Sequence, residues 1–130
     1  MKDGFTLGLD MDGVITSSPD FFASLSSQWR NNGGRVNIVS SRSDRPDVIQ
    51  ATREELSSFG ISYDCLFLMP SIEAAQVRCP ESNLDWYQKY LWQKVAYCLE
   101  SNIEYFYDDD MKVIELFKML APRINIFHVV

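Results

Sequence analysis

Histidine, cysteine and positive charge are all scarce in this chain. Its 130 residues include one histidine and three cysteines, and 12 lysines and arginines stand against 18 aspartates and glutamates. Cys65, Cys79 and Cys98 are odd in number and lack C-x-x-C spacing, which argues against a disulfide framework and a zinc knuckle. Reduced thiols fit a cytoplasmic protein. The net charge of -6 disfavours a long electrostatic footprint on nucleic acid or anionic membrane, while leaving room for a local basic pocket. No stretch approaches the roughly 18 apolar residues of a membrane span, and Asp10 and Asp12 arrive before a signal-peptide core could form. The sole histidine, His128, lies in an apolar terminal run and reads as a packed or edge residue rather than a catalytic one. Internal repeats and low-complexity tracts are also missing.

What is present suits one globular domain over residues 1–130: 46% of residues are hydrophobic and 23% charged. A chain of this length buries enough surface to hold a core without metal or disulfide staples. Phe5 to Leu9 reads as a strand, and Phe21, Phe22, Leu25 and Trp29 recur at helical spacing. After Gly33-Gly34 comes a strand around Val36 to Val39, then a helix from Pro46 to Phe59 closed by Gly60, then a strand from Cys65 to Leu68. Pro70 to Asn83 shows no clear period and reads as a loop. An aromatic-rich helix from Trp86 to Leu99, a strand from Ile103 to Tyr107, a helix around Val113 to Leu120 and a strand from Ile124 to Val130 complete the chain. Such alternation predicts a three-layer α/β/α, Rossmann-like fold on a mainly parallel five-stranded sheet, with ligands bound beyond the strands' carboxyl ends.

The polar residues concentrate at those strand ends. Asp10 and Asp12 flank Met11 just past the first strand, and Gly13 lets the chain bend there. Two such carboxylates can divide labour as nucleophile or metal ligand and as general acid and base; a strand-end Asp followed by a helix-capping Asp is the plainer alternative. Asp108, Asp109 and Asp110 follow another strand, where adjacent acids invite a cation or form a solvated turn with Asp110 capping the next helix. Ser40, Ser41 and Arg42 end the second strand and offer donors to a phosphoryl group, with a turn and a salt bridge as the plain alternatives. Helical phase places Lys94 between Tyr87 and Tyr90 on the apolar face, whereas Lys89 points away. A lysine there needs an anionic partner or a snorkelling path to the rim. The aromatic residues around that helix are too many for a monomer to bury, which leaves the choice between a monomer and a weak homodimer.

In this order, Leu9-Asp10-Met11-Asp12-Gly13-Val14, Ile38-Val39-Ser40, Lys94 and Tyr107-Asp108-Asp109 resemble the motifs of the haloacid dehalogenase superfamily of phosphotransferases. The resemblance implies a magnesium-dependent phosphatase. In it Asp10 is the nucleophile that forms an aspartyl-phosphate, and Asp12 protonates the leaving oxygen and later activates water. Ser40 holds a phosphoryl oxygen and Lys94 neutralises the nucleophile and phosphate. Asp10, the Asp12 carbonyl, Asp108 and Asp109 bind magnesium. An acid at position 12 marks phosphatases and phosphomutases rather than dehalogenases. Neither inter-motif gap has room for a cap domain, so the capless group is implied. Ser40-Ser41-Arg42 with Arg45, Thr52, Arg53 and Gly60-Ile61 is similar to the phosphatase half of polynucleotide kinase-phosphatases and related nucleotidases, which implies substrate contacts from Ser41 and Arg42. The implied substrate is a nucleotide, a nucleic-acid 3'-phosphate end or another small phosphate ester. The contrasting expectation is a non-catalytic magnesium, phosphate or protein-binding module on the same fold.

Overall fold

A computed structural model of the chain describes residues 5–130. The expectation that no leader precedes the first strand falls partly on residues 1–4, outside the described residues. The elements run β1 (Thr6–Leu9), a tight turn segment (Met11–Ile15), α1 (Pro19–Asn31), β2 (Arg35–Ser43), α2 (Pro46–Phe59), β3 (Cys65–Met69), α3 (Ile72–Arg78), α4 (Trp86–Glu100), β4 (Tyr105–Asp108), α5 (Met111–Leu120) and β5 (Asn125–His128). All five strands are parallel, in the order β3-β2-β1-β4-β5. The chain therefore builds outward from β1 on one side, then crosses to β4 and builds outward on the other. The switch point lies between β1 and β4, which is where an open parallel sheet presents its ligand crevice.

Side-chain alternation along the strands divides the core into two apolar clusters, one on each face of the sheet. Leu7 and Leu9 of β1 with Val36 and Ile38 of β2 meet Phe22 of α1 and Leu56 of α2. Val39 and Phe106 face the other way, onto Leu91, Val95 and Cys98 of α4 and Val113, Leu116 and Phe117 of α5. Gly8 admits this packing because a Cβ there would press on the Phe106 ring at 2.7 Å.

Local signals set the helix ends. Pro19 and Pro46 occupy first helical turns, where a missing N–H costs nothing. Gly60 ends α2 in the left-handed conformation at φ 73°. Asp85 and Gln88 form a reciprocal capping box on α4. The segment from Pro70 to Asn83 is not wholly a loop, because α3 occupies Ile72–Arg78. Ser71 caps it by accepting the Ala74 N–H at 3.2 Å, and its buried Ala75 accompanies packing of the helix on α4. Seven residues are too few to hold a helix unaided, so tertiary packing supplies what periodicity does not show. Among the described residues no helix is long and apolar enough to cross a membrane.

Candidate active site

Asp10 and Asp108 leave the carboxyl ends of β1 and β4 side by side. Leu9 is in register with Tyr107, and the Asp10 N–H donates to the Tyr107 carbonyl at 3.1 Å. The next residue of each strand thus turns its carboxylate to the same side, the face covered by α4. From α4, the buried stripe of Leu91, Lys94, Val95 and Cys98 meets the sheet, and Lys94 extends along it towards the strand ends. Its Nζ donates to Asp10 Oδ1 at 3.0 Å and to Asp108 Oδ2 at 2.8 Å. Side-chain exposure is 1% for Lys94, 7% for Asp10 and 0% for Asp108, so the contact is an internal salt bridge rather than a surface pair.

Burial decides the electrostatics of this triad. It pushes the Asp10 carboxyl up to about 7, against the pull of Lys94 and with the repulsion of Asp108. Burial also opposes charge on Lys94, but the two carboxylates outweigh it and hold the ammonium above its ordinary value. One cation faces two acids, leaving the cluster short of positive charge. Asp109 adds a third carboxylate: one oxygen each from Asp10, Asp108 and Asp109 lie within 4.8 Å of one another. These hard oxygen donors could hold a metal ion, and their excess negative charge favours one.

A cavity of about 360 Å³ opens over the cluster, lined by Asp10, Asp12, Gly13, Ser41, Tyr87, Lys94 and the Asp108 to Asp110 run. Gly13 closes one wall at φ 81°, and a Cβ there would collide with the Asp109 carboxylate. Tyr90 fastens α4 to the end of β2 by donating its hydroxyl to the Ser41 carbonyl at 2.9 Å. Asp110 caps α5 by accepting the Lys112 N–H at 2.9 Å, and Tyr87 donates its hydroxyl to the same residue at 3.4 Å. His128 lies on the exposed edge strand, its Nε2 3.1 Å from the Asp109 carbonyl oxygen.

The expected residues take up different positions. Asp10, Asp12, Ser41, Lys94, Asp108 and Asp109 meet at the cavity. Ser40 is fully buried behind it, with its hydroxyl accepting the Arg42 N–H at 3.1 Å. Arg42 is drawn to its own protein rather than to the cavity. Its Nε and Nη2 clasp Asp12 at 2.9 and 2.7 Å, and its Nη1 donates to Thr52 at 3.0 Å and Glu55 at 2.8 Å. The clasp holds the Asp12 carboxyl below its ordinary value. Glu55 went unnoticed in the sequence; its one signal is the three-residue spacing from Thr52, which sets both on one face of α2.

No family model and no curated protein matches the chain. Solved structures do. It is similar to a chain in the structure of the Pnkp1/Rnl/Hen1 RNA repair complex, with 16% identity and a TM-score of 0.64 over 95% of this chain and 42% of that one. A second structure of the Pnkp1/Rnl/Hen1 complex matches with 17% identity and a TM-score of 0.66, over 95% of this chain and 44% of its counterpart. At that identity the likeness is one of fold, and the chain spans less than half the length of the chains it resembles.

Proposed function

We propose that residues 5–130 form a capless, haloacid-dehalogenase-like phosphomonoesterase domain that uses magnesium and an aspartyl-phosphate on Asp10. The observation that carries this reading is the buried bridge from Lys94 to Asp10 and Asp108 at the sheet's switch point, with Asp109 beside it. A lysine buried against two acids is expensive as mere scaffolding, and apolar residues of similar volume would fill the space at less cost. It is explained if the carboxylates are needed for chemistry.

Asp10, Asp108, Asp109 and the Asp12 carbonyl would hold magnesium, which supplies positive charge to the phosphoryl oxygens. Lys94 occupies Asp10 Oδ1 and leaves the other oxygen to attack phosphorus. As the Asp10–phosphorus bond forms, the ester oxygen–phosphorus bond breaks and the leaving oxygen takes a proton from Asp12. Water then attacks phosphorus, Asp12 removes the water's proton, and phosphate departs with Asp10 restored. Lys94 neutralises charge throughout, in a site whose donors are already in place. Ser41, which lines the cavity, is the phosphate-side hydroxyl in this reading, and Ser40, buried behind it, would reach a phosphoryl oxygen only by giving up the Arg42 N–H.

The substrate class is a nucleotide, a nucleic-acid end or another small phosphate ester. The fold likeness to a chain of an RNA repair complex supports the nucleic-acid end, and the net charge of -6 supports a small ester equally well. A cytoplasmic monomer or weak homodimer suits the reduced cysteines and the half-exposed aromatics of α4.

The test is hydrolysis of an aryl phosphate, a mononucleotide and a 3'-phosphorylated oligonucleotide, each with magnesium or chelator. Magnesium-dependent turnover by the wild type and none by Asp10→Asn is the expected result. Magnesium binding without turnover of any ester would replace the enzyme with a binding module on this fold.

A further inference from the structure

Arg42 stands between two carboxylates, and only one of them borders the cavity. Asp12 approaches from the turn after β1, with 63% of its side chain exposed, while Glu55 approaches from α2. Four of the guanidinium's five N–H groups are engaged: two by Asp12, one by Glu55 and one by the buried Thr52. The Arg42–Asp12 half is a two-point fork on a carboxylate, the strongest form such a pair takes. A general acid and base held that firmly would be kept from the substrate. Glu55 opposes this, because its charge lies 2.8 Å from the opposite edge of the same guanidinium and compensates part of the attraction felt by Asp12.

We propose that Glu55 is a positioning residue, which rests on the phosphatase reading above: by sharing Arg42 it loosens the clasp on Asp12, so that Asp12 can turn to the leaving oxygen while Arg42 stays in place. Thr52 and Glu55 keep the guanidinium at the crevice rim as a fixed point to which Asp12 returns. Glu55 itself lies outside the cavity lining, so it acts through Arg42 and touches no reacting atom.

Glu55→Gln is the informative variant, since glutamine keeps an acceptor for Nη1 and removes only the charge. Asp12 is then held more tightly, and hydrolysis suffers most where the leaving group needs a proton. The ratio of kcat on an alkyl phosphate to kcat on an aryl phosphate falls about tenfold, a fraction of what a general acid contributes in full. KM for both esters and affinity for magnesium stay at wild-type values. Glu54→Gln, one residue along α2 with its carboxylate on Gln50, keeps the wild-type ratio. In the metal-free protein, NMR exchange of the Arg42 Nε–H with water slows in Glu55→Gln, a readout independent of turnover. A wild-type alkyl-to-aryl ratio in Glu55→Gln, or unchanged or faster Nε–H exchange, overturns the role of Glu55 while leaving the phosphatase standing. Wild-type protein inactive on every ester overturns both.

Discussion

Two charged clusters border one crevice and behave differently because one is dry and the other wet. Lys94 with Asp10 and Asp108 is buried beneath α4 at the floor of the cavity, with one cation for two acids, and the second Asp108 oxygen accepts the Asp110 N–H at 2.9 Å. Arg42 with Asp12 and Glu55 has the same ratio of charges at the rim, where Asp12 reaches solvent. In the dry cluster each charge depends on the others, so its geometry is fixed before any ligand arrives. In the wet cluster Asp12 is the partner most open to water, so it is the member able to trade its ion pair for solvent while Arg42 stays on Thr52 and Glu55. The contrast suits the phosphoryl transfer proposed above, which asks for a stationary nucleophile and a travelling proton carrier.

Breaking the dry cluster is expected to have the largest effect. Lys94→Met leaves two carboxylates without their cation, at a cost of about 3–5 kcal/mol. Thermal melts should show a large loss that magnesium partly restores, and an unchanged melting temperature would contradict the account of the triad. Gly13→Ala is expected to cost about 1–3 kcal/mol through its positive φ, with further damage from collision with Asp109. Magnesium titration should show weaker binding in that variant.

The acid dependence of the dry cluster sharpens the comparison. In the metal-free native state Asp10 keeps its proton up to about 7, whereas the unfolded chain loses it near 3.8. The native state therefore binds more protons between those values, and its stability falls as pH rises through that window, levelling above it. Melts in chelator should trace this slope, and Asp10→Asn should flatten it. At the rim the sign reverses. Asp12 is held below its ordinary value, so its contribution is present above that value and is lost as pH falls through the native one. Asp12→Asn is accordingly expected to cost about 1 kcal/mol or less, the ordinary range of an exposed pair. A loss comparable to that of Lys94→Met would erase the distinction between the clusters.

Much of the architecture was legible because it follows from local rules. Alternating strands and helices, polar strand ends, the prolines at first turns and Gly60 at a helix end each depend on a few neighbouring residues. Helical phase, together with the motif order, separated Lys94 from Lys89, since period and burial are linked along one helix. Other features escaped because they are settled between elements. α3 exists by packing on α4, its seven residues being too few to announce a helix. Ser40 and Ser41 are adjacent and chemically alike, yet β2 runs on to Ser43, so alternation buries one and sets the other at the cavity. Arg42 and Asp12 are separated by 30 residues, and no spacing rule joins them.

The sequence by itself determined the layer order and the placing of acids and hydroxyls at the strands' carboxyl ends, because propensity, period and turn chemistry act over short range. Tertiary structure decided which of those charges became partners. The register of β1 with β4 brought Asp10 beside Asp108, α4 covered them with Lys94, and α2 brought Glu55 to Arg42. Electrostatic energy depends on separation and exposure, and both exist only once the elements have packed.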